Sequence, residues 1–409
     1  MEKKINSGEI MKKKLVLLNV VCNGSTGKIM CDLAKSASNN GYNVTCIYGR
    51  GNPKEDVNCL KFNSKLGIYF HVLLARLGFN GHGSYFATKK IVKYLKKENP
   101  DIIHMHNIHG YWINLKVLFK YLKNDYNGKI IWTLHDCWSF TGHCSHFVSA
   151  NCNKWQEGCM KCPQLKSYPK EYFDTTRREY RLKKKLFSNL NDLQIITPSN
   201  WLKKIVEKSF LGKYPIKTIH NGINLDIFKP VNDKNIKGKY NIPDNKIVLL
   251  GVANIWEERK GLNIFIELSK MIDKDEIIVL VGVNDKQIIE LPSNIIGIKR
   301  TENQKELASL YSIADVFINP SVEETFSLVT AESLACGTPT IVCGTSAPKE
   351  LITKEVGTVI NNVNPNDYYK AYKKILKENH VRKKIHDYAK QFDNENMLKE
   401  NIKTYKENH

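Results

Sequence analysis

The chain of 409 residues lacks a long hydrophobic run, is short of acidic residues and has no low-complexity segment. The best candidate for a membrane span, residues 68–79, is shorter than the about 20 apolar residues that a bilayer requires and contains His71 and Arg76. Aspartate and glutamate number 41 against 62 lysines and arginines, a formal net charge of +21. Ordinary glycine and proline contents exclude a collagen-like or largely disordered chain. We therefore expect two or three folded domains in a soluble intracellular protein.

The eleven cysteines do not form the pattern of a secreted disulfide framework, because their number is odd and most are widely spaced. Four of them, Cys144, Cys152, Cys159 and Cys162, cluster between residues 144 and 162, inside the irregular stretch 137–169. The last two form a C-x2-C arrangement that lets two thiolates bind one ion, and a long loop of this kind needs a staple or a function. The preferred interpretation is a structural zinc site, with free buried thiols and disulfides as the alternatives.

The beginning of the chain imitates a signal peptide, because three lysines precede a short apolar run that ends near Cys22. That run is interrupted by Asn19, and Val21 occupies the position where cleavage needs a small residue. The segment is therefore predicted to be a buried strand that leads into a glycine loop. Met11 is a second candidate start, since residues 1–10 are polar and show no periodicity.

Short apolar runs alternate with amphipathic segments of helical length through most of the chain, which predicts parallel sheets covered by helices. The predicted fold class is α/β, with two Rossmann-like, doubly wound domains and a ligand cleft between them. The polar, irregular segment 221–244 is the predicted linker. The first domain then covers 1–220 and the second 245–385, and a final helix in 386–409 is expected to pack back on the first domain.

The loop after the first strand, Asn23-Gly-Ser-Thr-Gly-Lys28, looks like a phosphate-binding loop but matches no nucleotide motif. A P-loop would need glycine at Cys22 and serine or threonine at Ile29, and the dinucleotide fingerprint lacks its third glycine. Gly24 and Gly27 still permit close backbone approach, and the N-terminus of the next helix favours an anion. The alternative is a tight strand-to-helix turn.

The most informative stretch is 320–339, in which an acidic loop follows a predicted strand and an apolar helix follows the loop. Glu324 and Glu332 are eight residues apart there, and Glu332 lies in an otherwise apolar frame that argues against simple exposure. Two carboxylates that face one cleft can each accept a pair of sugar hydroxyls. Backbone N–H groups at the start of this helix can donate to an anionic or hydroxylated ligand.

This stretch resembles the E-x7-E element of the retaining glycosyltransferases of family four, whose two-domain arrangement is called GT-B. The first half of the chain is similar to a bacterial exopolysaccharide, or colanic-acid-type, subgroup of that family. The matching segments are Glu324 to Glu332 with Ala335 to Pro339, Lys260-Gly261, Pro198-Ser199-x-Trp201, Asn221 to Ile223 with Phe228, His104 to Gly110, and Trp132 to Gly142.

The resemblance implies transfer of a sugar from a nucleoside diphosphate donor to an acceptor hydroxyl with retention of anomeric configuration. It places such a reaction in capsule, exopolysaccharide or lipopolysaccharide assembly and implies no cofactor in catalysis. Glutamate pairs of this kind hold the ribose and the donor sugar, and the lysine meets the pyrophosphate. The predicted catalytic residues are Glu324, His135 and Lys260, and the predicted donor-binding residues are Glu332, Arg259, Thr325, Phe326, Ser327, Leu328, Gly24 and Gly27.

Two of these assignments carry alternatives. The family's usual arginine, five residues before Lys260, falls on Ile255, so Arg259 is the candidate substitute. His135 is assigned to the transferred sugar, whereas a single histidine at a strand end is more often structural. His104, His106 and His109 could be read as a metal cluster, but their spacing fits sheet alternation and loop packing at least as well.

Two segments are strongly basic, 86–97 and 177–185. A solvated helix face is the ordinary interpretation, and a surface that binds anionic lipid is the alternative. The second interpretation suits a cytoplasmic transferase at the inner face of the membrane, with a glycan or lipid-linked acceptor. No nucleic-acid partner is expected, because no recognised module accompanies the charge.

The rival functions are a sugar-nucleotide epimerase or phosphorylase on the same fold, and a non-catalytic binder of nucleic acid or anionic polymer.

Overall fold

The computed structural model describes residues 12–53, 56–378 and 380–407, which form two α/β units in series. The choice between Met1 and Met11 as the start therefore lies outside the described residues. None of the helices in these ranges has the length and apolar character needed to cross a membrane.

The first unit is built on a parallel sheet of seven strands within the described residues, in the order β3-β2-β1-β4-β5-β6-β7. Its central strands are nearly continuous apolar runs because helices cover both faces of the sheet. The strands are β1 Lys14–Val21, β2 Asn43–Arg50, β3 Cys59–Lys61, β4 Ile102–Met105, β5 Lys129–Thr133, β6 Leu193–Thr197 and β7 Ile216–Thr218. The helices are α1 Gly24–Asn39, α2 Lys65–Arg76, α3 Tyr85–Glu98, α4 Leu115–Asn124, α5 Thr176–Phe187 and α6 Asn200–Glu207.

The second unit repeats this plan with six parallel strands in its described part, in the order β10-β9-β8-β11-β12-β13. The strands are β8 Ile247–Val252, β9 Glu276–Val281, β10 Ile295–Ile298, β11 Val316–Asn319, β12 Thr340–Cys343 and β13 Gly357–Ile360. The helices are α7 Ile236–Lys239, α8 Leu262–Ser269, α9 Asp285–Glu290, α10 Gln304–Ile313, α11 Leu328–Ala335, α12 Pro365–Lys377 and α13 Arg382–Ala389, and a last helix, α14 Asn394–Lys406, follows them in the chain. The prediction of an α/β fold with two Rossmann-like domains is confirmed.

The strand order fixes where each unit can bind a ligand. In each sheet the winding direction reverses beside the first strand, between β1 and β4 and between β8 and β11. Doubly wound sheets bind ligands in the crevice that opens at the carboxyl ends of the strands at such a reversal. The loops after these four strands are therefore the ones that can build a site.

The connection between the two units is better packed than its polar sequence predicts. Ile223, Phe228, Ile236 and Ile242, all within the predicted linker 221–244, are buried in the core of the second unit. Gly222 passes so close to the chain that a Cβ atom there would lie 2.3 Å from Cα of Asn394. Much of the segment is thus part of the second unit.

The C-terminal residues cross back to the first unit, but later than residue 386. Helix α13 packs against α11 of the second unit, and only α14 packs against α1 of the first. Met397, Leu398 and Ile402 of α14 are buried in the core of the first unit, and the Lys129 ammonium donates to the carbonyl of Thr404 at 2.7 Å. The two units are therefore joined both by residues 219–223 and by residues 390–393.

Candidate active site

The loop between β11 and α11 carries the paired glutamates and is held rigidly by its own side chains. Asn319 donates from Nδ2 to the hydroxyl oxygens of Ser327 at 2.9 Å and of Thr330 at 3.1 Å. Ser327 has a φ of 87°, a left-handed conformation that costs a residue with a side chain about 1–3 kcal/mol. Strain of this kind persists only where the surroundings enforce it, so the polar cluster fixes the start of α11.

Glu324 and Lys260, assigned separately to donor sugar and pyrophosphate, form an ion pair in the structure. Lys260 ends a 3-10 helix, Glu258–Lys260, that follows β8. The next residue, Gly261, has a φ of 77°, and a Cβ atom there would lie 2.8 Å from Cγ of Pro320. Glycine at this position thus lets the lysine loop lie against the glutamate loop. Burial alone raises the pKa of Glu324, but Lys260 and Arg259 outweigh it and hold that pKa below its usual range.

Glu332 lies on α11, where its Oε2 atom accepts a hydrogen bond of 3.2 Å from the Tyr311 hydroxyl. Burial raises the pKa of Glu332 to about 7, and the bond from Tyr311 opposes this rise only in part. The carboxyl group therefore has spare acceptor capacity in a poorly solvated position. Hydroxyl donors from a ligand would stabilise its charged form.

His135 follows β5 in a stack of three imidazole rings. The rings of His104 and His106 lie 4.4 Å apart and those of His106 and His135 5.2 Å apart. Nδ1 of His106 lies 2.9 Å from Nε2 of His135, and His104 bonds to the hydroxyls of Tyr405 and Thr133. Burial lowers the pKa of His135 to about 4, which Asp136 offsets only partly, so the ring is neutral at physiological pH.

These histidines do not form a metal cluster. His109 pairs with Asp136 at 2.8 Å instead of with the other two histidines. In the described ranges, no three His, Cys, Asp or Glu side chains are arranged to hold a metal ion. Hydrogen bonding and packing account for the pattern of three histidines.

The two units meet at the glutamate loop. The Thr325 hydroxyl donates to the backbone carbonyl of His135 at 2.9 Å. Glu323, which the sequence does not single out, is fully buried, and its carboxylate accepts backbone N–H bonds from Phe147 at 2.8 Å and Val148 at 2.8 Å. A third N–H, from Ser149, lies at 3.4 Å. Burial raises the pKa of Glu323, and the three N–H donors offset this rise only in part.

Two cavities open beside this contact. One, of about 500 Å³, has walls from both units, with Gly24 and Lys28 from the first and Leu328 and Glu332 from the second. The other, of about 980 Å³, lies between residues 146–168 and the second unit and includes Arg259. Glu324, Lys260 and His135 line neither cavity. Residues close to Glu324 in the chain line both cavities, and the residues on either side of Lys260 line the larger one. The predicted catalytic residues are therefore half-buried at the contact between the two units.

The two glycines of the first loop have different roles. Gly24 has a φ of 68° and lines the smaller cavity, where a Cβ atom would meet nothing within 4 Å. A Cβ atom on Gly27 would lie 2.6 Å from the carbonyl carbon of Cys22, so this glycine lets α1 pack on the end of β1. Gly24 thus leaves open space at the wall of the smaller cavity, and Gly27 serves the strand-to-helix turn.

Three predicted donor-binding side chains are engaged with the protein itself. The Phe326 ring is buried in the second unit beside His220 and Phe392. The Ser327 hydroxyl belongs to the polar cluster with Asn319, and Arg259 donates to the carbonyl of Glu323 at 3.2 Å. Any donor contact from Phe326 and Ser327 must therefore come from their backbone, whose N–H groups lie at the start of α11.

The four clustered cysteines all line one small cavity beneath the loop that contacts Glu323. They are free thiols, and the sulfur atoms of Cys159 and Cys162 accept N–H bonds from Gly142 at 3.2 Å and Gln164 at 3.4 Å. Disulfides are thus not present. These cysteines belong to the described part of the chain, in which no preformed metal-binding group is found. The structure therefore does not confirm a zinc site.

One residue of the basic segment 177–185 is not on the surface. Lys183 is buried, lies 3.4 Å from the centre of the Trp138 ring and donates to the carbonyls of Trp138 and Thr141. Burial lowers its pKa to about 7. Lys183 therefore anchors the beginning of the stretch 137–169, and the surface charge of α5 comes from its other basic residues.

Two family models together match most of the chain. The model described as Glycosyltransferase Family 4 matches residues 26–227, and the model described as Glycosyl transferases group 1 matches residues 232–392. A protein of Escherichia coli (strain K12) named as a colanic acid biosynthesis glycosyl transferase, WcaC, is 25% identical over 357 residues, which cover 83% of this chain and 84% of that protein. D-inositol 3-phosphate glycosyltransferase of Corynebacterium jeikeium (strain K411) is 22% identical over 327 residues, which cover 74% and 70%.

Solved structures with the same fold cover nearly the whole chain. Sucrose-phosphate synthase from Thermosynechococcus elongatus has a TM-score of 0.70 at 18% identity, with 96% of this chain and 98% of that chain covered. Anabaena Alr3699/HepE, solved in complex with UDP and glucose, has a TM-score of 0.66 at 14% identity, with 96% and 99% covered. At these identities the likeness concerns the fold.

Proposed function

The chain is a retaining glycosyltransferase of family four with the GT-B fold, and from this premise we propose that its donor is a nucleoside diphosphate sugar bound between the two units. The observation that carries the proposal is that Gly24 of the first unit and Glu332 of the second line the same cavity of about 500 Å³. Glu332 supplies an acceptor for ribose hydroxyls. The backbone beside Gly24 and the start of α11 supply N–H donors for the diphosphate.

The reaction needs a rearrangement of the pair between Lys260 and Glu324. The diphosphate competes for the Lys260 ammonium, which stabilises the charge that develops as the bond from the anomeric carbon to the diphosphate oxygen breaks. Glu324, once released, accepts hydroxyls of the donor sugar. The acceptor oxygen attacks the same face, and its proton passes to the departing diphosphate. This route uses no covalent protein intermediate, metal or other cofactor.

His135 acts as a neutral hydrogen-bonding partner of the transferred sugar in this proposal. Its low pKa excludes a positive charge at neutral pH, and its contact with His106 fixes the orientation of the ring. Thr325 ties the same residue to the glutamate loop of the other unit. The closed arrangement of the two units, in which Thr325 contacts His135, therefore brings His135 and Glu324 to the same ligand.

The acceptor is proposed to be a glycan or a lipid-linked glycan of the cell surface, at an anionic membrane. The relative named for colanic acid biosynthesis supports a polysaccharide pathway. The exposed lysines of α3 and the exposed arginines of α5 support contact with acidic lipid. Nucleic acid is not a proposed partner.

A thermal-shift screen of UDP-sugars and GDP-sugars tests the donor assignment. UDP-sugars come first because Anabaena HepE was solved with UDP and glucose. A donor at 100 times its dissociation constant stabilises the protein by about 2.7 kcal/mol, which is an easily measured rise in melting temperature. Product analysis with and without acceptor separates a transferase from an epimerase. Melting temperatures that respond to polyanions but to no nucleotide sugar would contradict the proposal.

We also propose that the four cysteines bind one structural zinc ion after a small convergence of their side chains. The support is that all four line one cavity in a loop with little regular structure. Burial raises the pKa of Cys162 to about 11, so this thiol is protonated in the metal-free protein and zinc binding releases its proton. We expect one zinc per chain by elemental analysis, lost in the variant Cys159→Ser/Cys162→Ser. Zinc-free protein with four titratable thiols would contradict it, and Cys336→Ser is the control.

A further inference from the structure

Helix α2 of the first unit is turned with its apolar side toward the solvent. Its inward side contributes only two buried residues, His71 and Ala75. The outward residues follow a spacing of three and four and so form one continuous face. These residues are Leu66, Tyr69, Phe70 and Leu73, with 81%, 72%, 59% and 56% of their surface exposed, followed by Leu77 at 39%.

The exposed apolar surface continues beyond this helix. Phe79 follows α2, Tyr85 and Phe86 begin α3, and Tyr172 and Phe173 lie on the segment before α5; all five are exposed. We call this set, with the outward residues of α2, the aromatic face. The Tyr172 N–H donates to the carbonyl of Arg76 at 2.8 Å, which joins the segment before α5 to the end of α2. An accumulation of exposed apolar side chains of this size indicates a binding surface.

The charges around the aromatic face are predominantly positive, and Asp174 beside Phe173 is an exposed exception. Residues 57–97 include no aspartate or glutamate and eight lysines and arginines. Exposed lysines 65, 89, 90 and 93 lie on α2 and α3, and exposed Arg177 and Arg181 lie on α5. The Arg178 guanidinium stacks 4.3 Å from the centre of the Phe79 ring. Aromatic and aliphatic side chains bordered by cations match the interface of an anionic bilayer, which takes up both.

The aromatic face lies near an opening of the candidate active site. Helix α3 precedes β4, so its N-terminus with Tyr85 and Phe86 lies at the carboxyl edge of the sheet, where the strand-end loops build the site. The Ser84 hydroxyl bonds to the carbonyl of Tyr111 at 3.5 Å, in the loop that contains His109. Tyr168, 6.2 Å from the Tyr111 ring, is half-exposed and lines the larger cavity. The face and the cavity are therefore connected by the strip from Tyr111 to Tyr168.

We propose that the aromatic face inserts into the interfacial layer of an anionic lipid bilayer and turns the larger cavity toward the membrane. This inference deepens the proposed function, because it assigns the surface through which a membrane-anchored acceptor is reached. It differs from adhesion by basic segments alone, since apolar insertion supplies an attraction that salt does not screen. The helix lies in the interface and does not span the membrane.

Vesicle sedimentation tests the proposal with phosphatidylcholine vesicles that contain about one-third phosphatidylglycerol. The variant Tyr69→Ser/Phe70→Ser/Leu73→Ser keeps every charge and removes the centre of the apolar face. We expect its partition coefficient to fall at least tenfold, because three apolar side chains that would insert into the bilayer are lost. We also expect part of the wild-type binding to persist at high salt. The matched control is Ile289→Ser/Val381→Ser, which removes exposed apolar side chains from the second unit and should bind like the wild type.

Several outcomes would overturn the inference. Equal vesicle binding by the wild type and the triple variant would show that the positive charges alone bind the membrane. A wild type that forms dimers and ignores vesicles, with monomers in the triple variant, would assign the face to a second copy of the chain. The thermal shift given by UDP or GDP is measured in the same samples. A retained shift without vesicle binding contradicts membrane docking alone, whereas bound vesicles with no nucleotide response contradict the proposed donor alone.

Discussion

Substitution of Glu324 by glutamine is expected to lower turnover at least tenfold, with a much smaller change in the free energy of unfolding. The carboxylate is bonded to Lys260 and hydrogen-bonds the donor sugar in the proposed mechanism. Loss of a hydrogen bond to a charged group costs about 1.5–3 kcal/mol, which corresponds to a factor of about ten or more. The measurement is initial transfer rate against donor concentration, with Glu302→Gln, a change at an exposed surface ion pair, as the control.

The companion substitution, Glu332→Gln, is expected to act on donor affinity. In the free protein burial raises the pKa of Glu332 to about 7, so the carboxyl group is partly protonated near neutrality. Ribose hydroxyls donate to the charged form, and donor affinity should therefore rise between about pH 6 and about pH 8. In the glutamine variant the affinity should be at least tenfold weaker and should not follow this rise. Wild-type transfer and affinity in both folded variants would reject the assignment of the glutamate pair.

Substitution of Glu323 by alanine is the second change with a large expected effect. It removes the carboxylate that accepts N–H bonds of Phe147 and Val148 across the domain contact. Even one such bond contributes about 1.5–3 kcal/mol, so the closed arrangement should become at least tenfold less populated relative to an open one. We expect lower turnover and weaker donor affinity, because His135 and Glu324 no longer meet the ligand together.

Hydrogen exchange provides a direct measurement of this effect. The amides of residues 147–149 should lose protection in Glu323→Ala, while amides of the central strands keep theirs. Glu323→Gln retains an acceptor oxygen and should restore part of both protection and activity. Unchanged exchange at residues 147–149, together with wild-type turnover, would show that the carboxylate does not hold the two units together.

The central strands could be predicted from the sequence, and the edge strands could not. Strands β1, β4, β6, β11 and β12 coincide with the apolar runs 14–21, 102–105, 193–197, 316–319 and 340–343, each of which the sequence predicts as a strand. The strands missing from the prediction, β3, β7, β10 and β13, are the outermost strands of the two sheets. They have only three or four residues and are partly exposed, so their sequences lack the continuous apolar run of a strand covered on both faces.

The candidate site was predictable as a set of residues but not as a geometry. The motif around Glu324 and Glu332 lies in the loop after β11. Because β11 is one of the two strands at which the strand order reverses, this loop is placed to carry ligand-binding groups. The pairing of Glu324 with Lys260 and the burial of Phe326 depend on contacts between distant segments. Glu323 gave no signal beyond its position beside Glu324, because its partners are backbone amides 174 to 176 residues away.

Contacts between distant segments also explain the remaining differences between the prediction and the structure. The polar segment 221–244 hides four apolar side chains that reach the core of the second unit. Lys183 belongs to a basic run, yet the Trp138 ring and two carbonyls compensate for its burial. In each case a tertiary contact overrides the local pattern of polarity.

The central claim is retaining sugar transfer, and the anomeric configuration of the first product tests it most directly. The protein is incubated with the nucleotide sugar that gives the largest thermal shift and with a panel of glycosides on apolar aglycones, and the reaction is followed by proton NMR. The account predicts acceptor-dependent release of the nucleoside diphosphate and a product whose anomeric proton has the configuration of the donor. A product of inverted configuration, or epimerised donor without transfer, would contradict it.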